Sequence, residues 1–198
     1  MPQLPPLTKA LILACVGVYF LFELVPGAGW FALWPLQSGN FMPWQPLSYA
    51  FLHGGFTHLL FNMLGLWMFG SELERVWGRR RYAQLLIAGA LTAALAQLVF
   101  SALMHSNAPT VGASGALFAL LLSFGMLFPN RIITPLIPPI PMKAKYFVAI
   151  FGTLELLLGT RLLDFGPTNV AHFAHLGGML GAYLLIRYWR TRGPRRLR

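Results

Sequence analysis

The sequence predicts an all-α membrane protein, a bundle of six transmembrane helices with the N- and C-termini cytoplasmic. Three observations carry this expectation. Of 198 residues, 57% are hydrophobic and only 10% charged, against about 25% charged in an ordinary globular chain, and the mean hydropathy is +0.62. The charges are also clustered, leaving long apolar runs between the clusters. Six of these runs approach the roughly 20 residues that a spanning helix needs, at about 8–25, 55–71, 82–104, 112–128, 145–161 and 169–189.

Each element has its own justification. Lys9 precedes an apolar run from Ala10 to Phe22, but Glu23-Leu24-Val25-Pro26 follows instead of a small-x-small cleavage site. The first run therefore reads as an uncleaved span. Its Cys15 is the one cysteine, which rules out an intrachain disulfide and a CxxC site and leaves the role of a small buried hydrophobe. The connection from Pro26 to Gly54 has no lysine or arginine but carries Trp30, Phe31, Trp34, Phe41, Trp44 and Tyr49. Such aromatics favour the headgroup region, so the connection is expected to lie partly in the outer leaflet. The third run, Tyr82 to Met104, is the cleanest, with Gln84, Thr92, Gln97 and Ser101 as its polar interruptions. The fourth is short and must begin below one membrane surface, which a shielded Gly112-Ala113-Ser114-Gly115 turn would permit. No internal repeat or low-complexity linker divides residues 1–198, so a single domain is expected.

Lysine and arginine placement sets the orientation. With the N-terminus inside, Lys9, Arg75, Arg79, Arg80, Arg81, Arg131, Lys143, Lys145, Arg187, Arg190, Arg192, Arg195, Arg196 and Arg198 are all cytoplasmic, and only Arg161 lands outside. The formal net charge of +10 thus reads as topology and affinity for anionic membrane lipid. No solvated domain presents a basic groove, so no nucleic-acid partner is expected.

This topology brings chemistry-bearing residues to one layer. Spans two, four and six all run inward from the outer face, and each carries polar residues in its first turns: His58 and Asn62, Ser114, and His172 and His175. Six residues into a helix is a depth of ~9 Å. Polar groups are expensive in hydrocarbon, so a shared layer of them asks for a functional reason. A serine hydroxyl becomes a nucleophile when a base within hydrogen-bond reach takes its proton, and histidine is the usual base. Gly112 and Gly115 permit a strained turn at a helix start, where free N–H groups and the helix dipole can hold an oxyanion. His175 and His172 both qualify as the base. His58 and Asn62, four apart on one helical face, can both donate to a developing oxyanion. His53 precedes that helix and is expected to brace the first connection, and His105 reads as a loop residue. Gly177, Gly178 and Gly181, with Gly115, Ala116 and Ala119, are expected to pack spans four and six closely.

Rival chemistries fall away. There is no His-Glu-x-x-His, and no acidic residue neighbours His53 or His58 in sequence, so no metal is expected. Asp164 is the one aspartate, which excludes a two-aspartate protease. None of Glu23, Glu72, Glu74, Glu155 and Asp164 has a sequence position that puts it at the polar layer, so a Ser-His dyad is expected rather than a triad. Glu155, inside span five, reads as a buried helix-to-helix hydrogen bond. A non-catalytic scaffold of the same fold would typically lack the serine or histidine, and a conducting pore would spread its polar residues along a path.

Together these residues resemble the rhomboid family of intramembrane serine proteases. His53, His58 and Asn62 match its His-x4-His-x3-Asn pattern, Gly112 to Gly115 its Gly-x-Ser-Gly, and Ala174-His175-Leu176-Gly177-Gly178 its Ala-His-x-x-Gly. The resemblance covers nearly the whole chain. It implies Ser114 as nucleophile and His175 as base, with an oxyanion hole from the Ser114 N–H, His58 and Asn62. Phe118 matches an aromatic that stacks on the base, and Phe61 a substrate-gate position between spans two and five. Where the family often has Trp-Arg in its first connection, this chain has Trp44-Gln45. The implied protein is a minimal bacterial six-span endopeptidase of the inner (cell) membrane. It would need no cofactor and act on single-pass transmembrane protein substrates.

Overall fold

The computed structural model describes residues 3–136, 138–160, 162–163 and 170–192. They are mostly helical: α1 (Pro6–Leu24), the short α2 (Gln45–Ser48), α3 (Phe56–Gly65), α4 (Ser71–Leu103), α5 (Ser114–Leu127), α6 (Ala144–Gly159) and α7 (His172–Arg192). A two-stranded antiparallel ribbon, β1 (Ile132–Ile133) and β2 (Met142–Lys143), links α5 to α6. Arg161, Asp164, the expected start of span six at 169, and Arg195, Arg196 and Arg198 lie outside the described residues.

The second expected span differs most from the sequence reading. A π-helical turn, Leu66–Gly70, carries α3 straight into α4, so helix continues past the expected end at 71. The break comes at Gly78, with φ +72°, a backbone conformation that favours glycine. There the chain turns back, setting the Tyr82 hydroxyl against Gly70. By length and hydropathy, Pro6–Leu24 and the 48-residue run Phe56–Leu103 suffice to cross a membrane; α5, at 14 residues, is apolar but shorter.

The polar stretch after Ser71 stays helical because its carboxylate has a buried task. Glu74 Oε1 accepts from Leu7 N–H at 2.9 Å, and Oε2 accepts from Thr8 N–H at 2.7 Å and Thr8 Oγ1 at 2.8 Å. The first-turn amides of α1 have no intrahelical acceptors, and a carboxylate there also meets the positive end of the helix dipole. Arg75 donates to Gln3 O, Arg131 pairs with Glu72 at 2.7 Å, and Trp77 packs edge-on to Trp189. The start of α1, the Gly78 turn, and the far ends of α5 and α7 therefore gather at one end of the bundle.

At the other end the first connection is stitched to the segment before α5. Leu33 and Thr110 exchange N–H···O bonds of 2.9 Å, Gly112 N–H donates to Tyr49 O at 2.9 Å, and Tyr49 Oη donates to Ala90 O at 2.9 Å. Trp30 and Trp44 are exposed, but Tyr49 is a core residue. Buried Gln45 braces the connection, its Oε1 accepting from Trp34 N–H and its Nε2 donating to Asn40 O and Trp30 O. A neutral amide thus cross-links the loop.

The interior is built by α4, α5 and α7. Side chains added at Gly89 and Gly115 would strike Ala119 and Ala93 across the α4–α5 contact, and one at Gly178 would strike Gly115 O. Gly177 and Gly181 face Ala96 and Thr92 of α4. The expected α5–α7 seam is therefore Gly178 on Gly115, while the other two glycines seat α7 on α4. Without such small residues the backbones could not approach this closely.

Candidate active site

Ser114 is the first residue of α5, so its N–H and that of Gly115 have no acceptor within the helix. Gly112 delivers the chain to this start with φ +124°, and a Cβ there would come within 2.7 Å of the His58 ring. No residue with a side chain meets both conditions.

His175 sits one turn into α7. The Gly178–Gly115 approach holds α7 against the start of α5, and His175 Nε2 lies 2.7 Å from Ser114 Oγ. The Phe118 ring, one turn along α5 from Ser114, lies parallel to the imidazole at 4.2 Å between centroids and 7° between planes. One helix thus carries both the hydroxyl and the surface that orients its partner. His172 is one turn earlier on α7, and its Nδ1 faces Glu155 at 2.7 Å.

His58 Nδ1 accepts a long bond from Gly54 N–H, 3.4 Å, which leaves Nε2 to carry the hydrogen on the side facing Gly112. Asn62 Nδ2 donates one hydrogen to His58 O at 2.7 Å and keeps a second, while its buried Oδ1 has no protein partner. Both side chains therefore retain a donor. His53 packs its ring on His58 at 5.2 Å between centroids. Burial, with His58 adding to it, pushes the His53 imidazole down to about 4, so it is neutral at ordinary pH.

A cleft of about 460 Å³ opens beside Ser114 between α3 and α6, lined by Phe61, Asn62, Met68, Phe118, Phe147 and Phe151 among others. Phe61 is 49% exposed at its mouth. The lining is overwhelmingly apolar.

Glu155 departs from expectation. It makes the anticipated helix-to-helix hydrogen bond, to His172, but the same Oε2 is 2.9 Å from His175 Nδ1. An acidic group therefore does reach the polar layer. An apolar run marks an expected span but does not set which way each residue faces, so the sequence carried no direct signal for this. A spacing signal did exist: His172 and His175 are three apart and share a helical face.

Glu155, His172 and His175 also have the donor types of a metal site, their donor atoms lying within 4.8 Å of one another. Ligands sharing one zinc at about 2.0–2.1 Å would sit roughly 3.3 Å apart in a tetrahedron. Separations of 2.7 and 2.9 Å are those of hydrogen-bonding partners instead.

Comparison with known proteins agrees with the motifs. The chain is 29% identical over 199 residues to the rhomboid protease GlpG of Yersinia pestis (strain Pestoides F), covering 98% of this chain and 66% of that protein. It is equally similar to the protein of the same name from Yersinia pseudotuberculosis serotype O:3 (strain YPIII). The Yersinia enterocolitica counterpart is 29% identical over 194 residues, 96% of this chain and 64% of its own length. The chain thus spans about two thirds of the length of these relatives. The Rhomboid domain family matches residues 40–192, a segment that holds Ser114, His175, His58 and Asn62 together, and the chain belongs to the rhomboid family.

Proposed function

We propose that this protein is an intramembrane serine endopeptidase, one domain over residues 1–198, that cleaves single-pass transmembrane proteins near the outer face of a bacterial cell membrane. The observation that carries this reading is the 2.7 Å approach of a buried His175 Nε2 to the half-buried Ser114 Oγ. Substrate peptide enters by the cleft beside Phe61. Ser114 Oγ attacks the scissile carbonyl carbon as its proton passes to His175 Nε2. The oxyanion accepts hydrogen bonds from the Ser114 N–H, the His58 Nε2–H and the second Asn62 Nδ2–H. His175 returns the proton to the leaving amine, and water then hydrolyses the acyl-enzyme with the same base.

The orientation follows from charge. Arg75, Arg79, Arg80, Arg81 and Arg131 belong to the end opposite Ser114, so the positive-inside rule puts Ser114 near the outer surface of a six-span bundle with both termini cytoplasmic. A substrate helix hides its carbonyls in backbone hydrogen bonds, so it must unwind before attack. Ser114 is hemmed by close helix packing, which favours a small residue such as alanine at the cut. The test is cleavage of a model transmembrane substrate in proteoliposomes, with the cut mapped by mass spectrometry. A cut at a small residue in the outer part of the helix is expected, slower when helix-breaking glycine or proline is replaced by leucine. A cut at the cytoplasmic end would refute the orientation, and equal rates for the stiffened helix would refute the unwinding requirement.

A further inference from the structure

We propose that Glu155 is a positioning residue that extends the Ser114–His175 pair into a three-membered relay, an inference that rests on the proteolytic reading above. The base must present a bare Nε2 to the Ser114 hydroxyl, so its hydrogen must be on Nδ1. A histidine with nothing at Nδ1 is free to adopt either tautomer. Here Nδ1 is buried, and among the described residues the acceptor within reach of it is Glu155 Oε2, at 2.9 Å. An ionised carboxylate only accepts. A bare Nδ1 would set two lone pairs against each other at that distance, so the carboxylate selects Nδ1–H.

The contact is imperfectly aligned. Oε2 lies off the line of the His175 N–H, so it is not a full hydrogen bond in the resting arrangement. Its aligned partner is His172 Nδ1, at 2.7 Å. One oxygen is thus shared by two imidazoles one turn apart on α7, and His172 fixes the carboxylate beside the base. When Ser114 Oγ bonds to the substrate carbonyl and its proton moves to His175 Nε2, the imidazole gains a positive charge. The charge faces a carboxylate 2.9 Å away in a site that little water reaches, where such attraction is strong. Glu155 stays ionised throughout: no proton moves to it, and the proton on Nε2 leaves with the amine. Among the described residues, the other polar groups around His175 are Ser114 on α5, His172 on α7 and His58 on α3, none of which carries a fixed negative charge.

The experiment uses the full chain in detergent and a fluorogenic transmembrane substrate, with Glu155→Gln, Glu155→Asp and His172→Ala beside the unchanged protein. Each variant is taken from the monodisperse peak of a sizing column. In Glu155→Gln the amide can donate to Nδ1 and so favour the unproductive tautomer. The expected result is a fall in kcat of roughly 10²- to 10⁴-fold, with KM changed less than threefold. Glu155→Asp should recover at least tenfold of that loss, and ¹⁵N-histidine spectra should show His175 moving from Nδ1–H to Nε2–H in Glu155→Gln alone. His172→Ala, which keeps the carboxylate but removes the partner that holds it, should lose less than Glu155→Gln. A Glu155→Gln protein with kcat within twofold of the unchanged one overturns the relay and leaves the protease reading intact. If Glu155→Gln does not fold, an unchanged tautomer and undiminished kcat in Glu155→Asp would likewise overturn it, and a partial loss of kcat at constant KM would support it. An unchanged protein that neither cleaves the substrate nor labels at Ser114 removes both readings together.

Discussion

The two sides of Ser114 are built on opposite principles. Toward α4 and α7, glycine and alanine bring backbones together: Gly89 meets Ala119, Gly115 meets Ala93, and Gly178 rests on Gly115 O. Toward α3 and α6 the contacts are made by large side chains, Phe61, Met68, Phe147 and Phe151, around an open cleft. Backbone-to-backbone packing leaves no rotamers to rearrange, so it fixes the nucleophile and base with respect to each other. Packing through long side chains tolerates displacement and can admit a peptide. Chemistry and access are thus separated in space, and single substitutions on the two sides should behave differently.

The largest effects belong to the rigid side. Ser114→Ala and His175→Ala should each abolish cleavage, because nucleophile and base act as one unit and losing either removes the covalent route. His172→Ala should keep substantial activity in the same assay. An active His175→Ala with an inactive His172→Ala would reassign the base.

Next come the donors at the boundary between the two sides. His58→Ala and Asn62→Ala should each lower kcat by ~10²–10³, or about 3–4 kcal/mol, while Ser114 can still be labelled. Unchanged turnover in both variants and in the double variant would remove them from the oxyanion hole.

Gly178→Ala probes packing without touching a reacting group. Its added methyl would press on Gly115 O, a backbone atom that cannot rotate away. A loss of about 1–3 kcal/mol is expected by thermal unfolding in detergent, together with lower kcat as α7 shifts from α5. The smallest effect is on the loose side. Phe61→Ala removes a half-exposed ring at the cleft mouth and should change KM by less than tenfold with Tm unmoved. If Phe61→Ala destabilised the protein as much as Gly178→Ala, the contrast between the two sides would fail.

How much of this was legible in the sequence depended on the kind of signal. Helices announce themselves by apolar length, and Ser114, His175, His58 and Asn62 by residue type and spacing. The polar Ser71-Glu72-Leu73-Glu74-Arg75 stretch looked like the end of a span. It is helical up to Gly78 because Glu74 caps α1, a contact between residues 66 and 67 apart in sequence. Glu155 was hidden for a different reason. In a membrane protein the lipid-facing and interior faces of a helix are both apolar, so hydropathy does not report its rotation. Tyr49 and Trp44 show the same limit in the first connection, one buried and one exposed with similar aromatic character.

The central claim is that Ser114 is made nucleophilic by His175. It is tested most directly by treating the detergent-solubilised protein with a fluorophosphonate and locating the adduct by peptide mass spectrometry. The account predicts one adduct on Ser114, formed by the unchanged protein and lost in His175→Ala. An adduct on another residue, or labelling of Ser114 at the same rate without His175, would contradict it.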